Sequence, residues 1–273
     1  MRTLSLAALP VGRLLGVPIF IHWSFPALLA YVGWEALSLG GLVDLVANVA
    51  LVVVVFAIVT MHEYGHILTA RLFGIGATRV TLLAIGGVAQ LKAIPAKSGP
   101  EFCIALGGPA VNVALAAIAA ATIAGVWGTD AIGLPLTDGG GIVLDGPLSY
   151  VQTLMLVNLL QLGFNLIPAF PMDGGRVLRA TLNLMMPFPK ATWAAVRIGQ
   201  VVAVAMIAGA LWLGAWVPAV IGLVVIGLAE VELRVMRRLL ARAKAEREAI
   251  AKQRLVDAVV ASGVATASGE RPA

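Results

Sequence analysis

Residues 44–70, DLVANVALVVVVFAIVTMHEYGHILTA, decide how the rest of the chain is read. After Asp44 no side chain is ionisable until His62, Glu63 and His66 arrive together. An apolar helix of about 20 residues spans a bilayer. An ionised side chain at the centre of such a helix costs about 2.5–3.5 kcal/mol on the insertion scale. Three ionisable groups at the end of this one need a purpose. The spacing supplies it. In HExxH the two histidines stand at i and i+4, on one helix face, where both reach a single zinc ion. Glu63, one residue along, is placed to act on a water held by that ion, whose pKa zinc lowers to about 7.

Composition agrees with a membrane setting. Of 273 residues, 60% are hydrophobic and 12% charged, with a mean hydropathy of +0.97. Soluble domains are about half apolar and about a quarter charged. One cysteine, Cys103, excludes a disulfide within the chain. MRTLSLAALPVGRLL is interrupted by Pro10, Gly12 and Arg13, so it reads as a retained N-terminus rather than a secretory signal.

The expected fold is an all-α polytopic membrane protein of about six transmembrane helices. Apolar stretches place them at about 18–38, 43–72, 101–127, 148–168, 191–213 and 216–236. Basic residues lie at Arg2 and Arg13, between 71 and 100, between 176 and 197, and from Arg234 onward. The other connections carry Glu35, Asp44, Asp130, Asp138 and Asp145 instead. Six spans with both termini cytosolic put every Lys and Arg on one side. That placement explains the net charge of +5 by membrane topology, without a nucleic-acid partner. The division is 1–17 as a cytosolic or surface segment, 18–236 as the membrane core, and 237–273 as a basic cytosolic helix ending in a disordered tail from about Ser262. The basic cluster of that helix either grips anionic lipid or only fixes topology.

A catalytic zinc takes three protein ligands and keeps one open position. NLIPAFPMDGGRVLRA, residues 165–180, offers the third. Pro168 and Pro171 break the fourth helix, and broken helices survive at membrane depth where they line protein or a watery cavity. Asp173 follows the break at the cytosolic end of span four, at the depth expected for His62 and His66. Asp173 as a plain helix N-cap is the alternative.

HEYGH in one span and NLIPAFPMDGG two spans later resemble the site-2 protease family of intramembrane zinc metalloproteases. GGPAVN, residues 107–112, is similar to that family's Gly-Pro-x-x-Asn element. The resemblance covers about 18–230. It implies one zinc ion per chain held by His62, His66 and Asp173, with Glu63 as the catalytic glutamate. It also places Asn112 and Asn165 near the site. Their role is either to bond the substrate carbonyl and its oxyanion or to make ordinary interhelical bonds. Asn158, Gln161 and Asn165 form one polar stripe on span four. Family members often carry PDZ-like or paired CBS domains. Loops and tail here are too short for either, so a minimal core is expected.

RVTLLAIGGVAQLKAIP, residues 79–95, reads as a small membrane-associated β-hairpin between spans two and three, two short apolar arms around Gly86-Gly87, with Gly86, Gly87 and Val88 as its substrate-pairing residues. In the resembled family such a segment dips toward the zinc, where its edge can pair with an extended substrate strand. Sealing the cytosolic face is the alternative. His22, the remaining histidine, either assists the site or bonds within the bundle.

The leading reading is an intramembrane zinc endopeptidase in a bacterial cell membrane, cutting a membrane-spanning substrate protein, with a regulatory partner protein as a further candidate interaction. The alternative is a catalytically silent, metal-binding scaffold or partner-binding homologue. A transporter would leave the HExxH glutamate unexplained.

Overall fold

The described residues open with two short strands, not with a helix. In the computed structural model, residues 8–135, 144 and 146–267 are described, leaving aside Ile85, Ile94 and Ala96. Strands β1 (Ala8–Leu14) and β2 (Val17–His22) form an antiparallel hairpin. PIFIH, expected to open the first span, is thus strand β2, and helix begins only at Ser24. A short run of Ile and Phe has the hydropathy of a membrane helix and the side-chain preference of a strand, and hydropathy alone does not separate them.

Helix α1 (Ser24–Leu72) follows, broken at Gly41, whose φ of 81° lies in the left-handed region that glycine enters freely. Its second limb carries HEYGH. Strands β3 (Ala77–Leu83) and β4 (Gly86–Leu91) come next, as the expected hairpin. The hairpin does not stand alone. The sheet order is β1-β2-β3-β4, with β2 and β3 parallel, Ile19 opposite Val80 and Ile21 opposite Leu82. Parallel neighbours need a long crossover, which α1 provides. The sheet packs on α1 through Val17, Phe25, Phe56, Tyr64, Ile67, Val80 and Leu82. Tyr64 donates to the carbonyl of Leu14 at 2.8 Å, fastening the turn of the first hairpin to the helix that bears the histidines.

Among the described residues five more α-helices follow: α2 (Ser98–Trp127), α3 (Pro147–Leu166), α4 (Asp173–Leu182), α5 (Phe188–Trp212) and α6 (Trp216–Ala267). Glycines let the packed helices approach closely. A Cβ on Gly65 of α1 would collide with the backbone of Gly107 on α2, and one on Gly107 with the backbone of Gly65.

The protein is a membrane protein. Among the described residues, four helical stretches are long and apolar enough to cross a bilayer: Gly40–Leu72, Ser98–Trp127, Phe188–Trp212 and Trp216–Arg242. The first limb of α1 and all of α3 are not among them. The strand took the start of the expected first span, and α3 carries the polar residues Gln152, Asn158, Gln161 and Asn165. Asp138 and Asp145, expected in a non-cytosolic loop, lie outside the described residues.

Candidate metal centre

His62 and His66 occupy successive turns of α1, buried at 3% and 4% exposure. The Pro-broken segment after α3 turns the chain, and α4 starts at Asp173. Gly174 and Gly175 make that turn feasible, because side chains there would strike the backbone of residues 166–170. The N-cap of α4 is Met172, so Asp173 is the first helical residue and not the cap. Its Oδ2 instead lies 3.1 Å from Nε2 of His62 and 3.0 Å from Nε2 of His66, and the two Nε2 atoms are 3.1 Å apart. Three donor atoms from two elements thus converge on one point and can hold one metal ion.

The second nitrogen of each ring is also committed. Nδ1 of His62 bonds Oδ1 of Asn112, and Nδ1 of His66 donates to the carbonyl of Ile104 at 2.7 Å. Such bonds fix the tautomer and aim the free Nε2 lone pair at an ion. Asn112 in turn donates to Oδ1 of Asn158 at 3.0 Å, which anchors to the carbonyl of Leu154 at 2.8 Å. The chain of bonds crosses three helices. Gly108 sits against both histidines, and a Cβ there would collide with both Nε2 atoms. This is the physical content of GGPAVN: its second glycine leaves room for the centre, and its asparagine orients one donor.

Glu63 faces a different neighbour. Its Oε2 accepts the backbone N–H of Ala89, in strand β4, at 2.7 Å. β4 is an edge strand of the sheet. Gly87, on the same strand, packs so closely that a Cβ would press on Glu63 Cγ and Val59 Cγ1. The hairpin expected from Gly86, Gly87 and Val88 is therefore beside the glutamate. Ala89 was missed in the sequence, although period-two alternation aligns it with Gly87.

Asn165 is half-buried and makes no side-chain hydrogen bond among the described residues. It lies seven residues beyond Asn158, hence on nearly the same face of α3. His22 does not reach the donors through any direct bond. Its Nδ1 lies 2.9 Å from Ser24 Oγ, which accepts the N–H of Ala84 at 3.1 Å, so it braces the start of α1 against the turn of the second hairpin.

A helical membrane core, a small sheet on its second-limb helix, and a His-His-Asp cluster with a glutamate beside it define a membrane metallopeptidase architecture. The chain belongs to peptidase family M50, whose model matches residues 50–206. It is 34% identical over 195 residues to "Zinc metalloprotease MJ0392" of Methanocaldococcus jannaschii, covering 71% of this chain and 51% of that protein. It is 33% identical over 210 residues to "Putative zinc metalloprotease Rip3" of Mycobacterium tuberculosis, covering 74% and 50%. The chain thus spans about half the length of these curated relatives. The solved "Site-2 Protease from Methanocaldococcus jannaschii" superposes with a TM-score of 0.58 at 30% identity, covering 83% of this chain and 95% of that one.

Proposed function

We propose that the protein is an intramembrane zinc endopeptidase that hydrolyses a peptide bond in or near a transmembrane segment of a substrate protein. The observation that carries this is the convergence of His62, His66 and Asp173 within mutual distances of 3.0–3.1 Å, with Glu63 on the same helix. Two imidazoles and one carboxylate are a zinc-type donor set, and donors at about 2.0–2.2 Å from a tetrahedral ion stand about 3.3 Å apart. The residues fit the ion. Zinc held there supplies Lewis acidity and lowers the pKa of a water to about 7.

The chain supplies the rest. Glu63 takes a proton from the attacking water and returns it to the leaving amine. Asn112 is occupied by His62 and Asn158, so its part is to orient a ligand. Asn165, with an uncommitted amide, is the better donor to the substrate carbonyl and its developing negative charge. A helical substrate has its carbonyls already bonded internally and must unwind before attack. An extended chain laid along β4 recovers backbone bonds from the strand edge. The backbone N–H of Ala89 now rests on Glu63, so such a chain passes directly against the carboxylate. The clustering of Lys and Arg supports a cytosolic location for both termini and cleavage near the cytosolic leaflet of a bacterial membrane.

The test uses purified protein in liposomes with a single-pass substrate, comparing the native chain with Glu63→Gln. Both should hold about one zinc, and cleavage should fall roughly 10²–10⁴-fold in the variant. Equal metal and no cleavage in either, across a panel of single-pass substrates, would favour a silent scaffold.

A further inference from the structure

A second group of buried charges lies outside the centre. Arg179, on the last turn of α4, is 3% exposed. Its Nε and NH2 both reach Oε1 of Glu101 on α2, at 2.7 and 2.6 Å, and NH1 reaches Oε1 of Glu232 on α6 at 3.0 Å. The guanidinium also lies between the rings of Phe170 and Phe188, 4.9 and 5.0 Å from their centroids. One side chain therefore joins α2, α4, α6, the start of α5 and the Pro-broken segment that leads into Asp173. Glu101 is fully buried, and its Oε2 has no partner among the described residues. Buried ion pairs add little net stability over apolar residues of equal volume. Geometry is the better reason for keeping this one.

We propose that Arg179, held by Glu101 and Glu232, is the positioning residue of the metal centre, setting where Asp173 stands relative to His62 and His66. The inference rests on the metal reading above. α4 has ten residues, too few for a helix stable alone in water. Arg179 lies six residues after Asp173, about 9 Å along the axis and about 240° around it. Clamping it stops the helix from sliding or rotating, which would swing Oδ2 away from the imidazoles. The same face of α2 serves both ends. Glu101 holds Arg179, Ile104 accepts from His66, Gly108 leaves room for the imidazoles, and Asn112 orients His62, at helical spacing. Glu232 extends the link to α6, beside the apolar packing of Val225 and Leu233 with Met172 and Phe170.

The experiment loads the purified chain with Co²⁺ and compares native protein with Glu232→Gln, Arg179→Lys and the exposed control Arg197→Gln. Three quantities are read: the visible ligand-field spectrum, the chelator concentration that strips half the cobalt, and thermal unfolding of the metal-free protein. Expected are shifted bands and at least tenfold easier stripping in both Glu232→Gln and Arg179→Lys, with the control unchanged. A purely structural role would lower the unfolding temperature but leave the spectrum of the folded fraction native, and that result overturns the proposal. Should Arg179→Lys fail to fold, Glu232→Gln, with a side chain 30% exposed, carries the test. A native chain that holds no cobalt would overturn the metal centre and this proposal together, whereas native-like variants beside a loaded native chain overturn this proposal alone.

Discussion

Asn112 shows how much one uncharged side chain decides at this site. Its Oδ1 receives the His62 ring, and its amide leans on Asn158 in the next helix. Removing such an outer partner typically weakens metal binding by about 10–100-fold. Asn112→Ala should therefore lose zinc to a competing chelator at a correspondingly lower concentration, while circular dichroism stays native. Gly108→Val should be harsher. Its side chain would enter the space beside both Nε2 atoms, and metal analysis should find close to none bound. Asp173→Asn keeps the volume but removes the charge that balances the cation, and zinc retention should fall with it. Unchanged metal content in that variant would remove Asp173 from the donor set.

The elements around the site are held by contacts that hydropathy does not reveal. The second limb of α1 presents one face to α2 across glycines and another to the sheet through Tyr64 and Ile67. Tyr64→Phe removes the bond to Leu14, worth about 1 kcal/mol, and should loosen the first hairpin without touching metal content. Limited proteolysis near Leu14 reads that directly. Strand β4 makes the complementary contact. In Gly87→Ala the new methyl presses on Glu63, so turnover should drop while the stoichiometry of bound zinc stays at the native value. An unchanged rate would mean that the strand shifts freely and does not aim the glutamate.

At the level of the whole molecule, the centre ties distant parts of the chain together, because its donors come from α1 and α4, more than a hundred residues apart. A ligand that binds only the folded state stabilises it by about 2.7 kcal/mol at a hundred times its dissociation constant. Added zinc should raise the unfolding temperature of the native chain and of Glu63→Gln alike, and not that of a His62→Ala, His66→Ala double variant. The distribution of Lys and Arg gives a second whole-molecule expectation. A reporter fused after Asp130 should be active only outside the cytosol, and one fused after Arg254 only inside. The reverse pattern would invert the predicted leaflet of cleavage.

The sequence by itself determined the membrane class, and it singled out His62, His66 and Asp173 as candidate donors, with Glu63 between the histidines. Each of these depends on local facts: apolar run length, i and i+4 spacing on a helix, and the broken helix before Asp173. It also pointed to a hairpin near Gly86 and Gly87, but those residues are paired in β4 and the chain turns before them, between Leu83 and Gly86. Strand β2 was misread as the start of a span because Ile and Phe are equally apolar in either conformation. Only the tertiary structure decided that this strand joins the hairpin in a four-stranded sheet, that Asn112 bonds a histidine while Asn165 has no side-chain bond among the described residues, that Ala89 meets Glu63, and that Arg179 bonds Glu101 of α2 and Glu232 of α6. Those pairings join residues 26–78 positions apart, and nothing in local spacing distinguishes the pair that forms from those that do not. Packing selects among them once the helices meet.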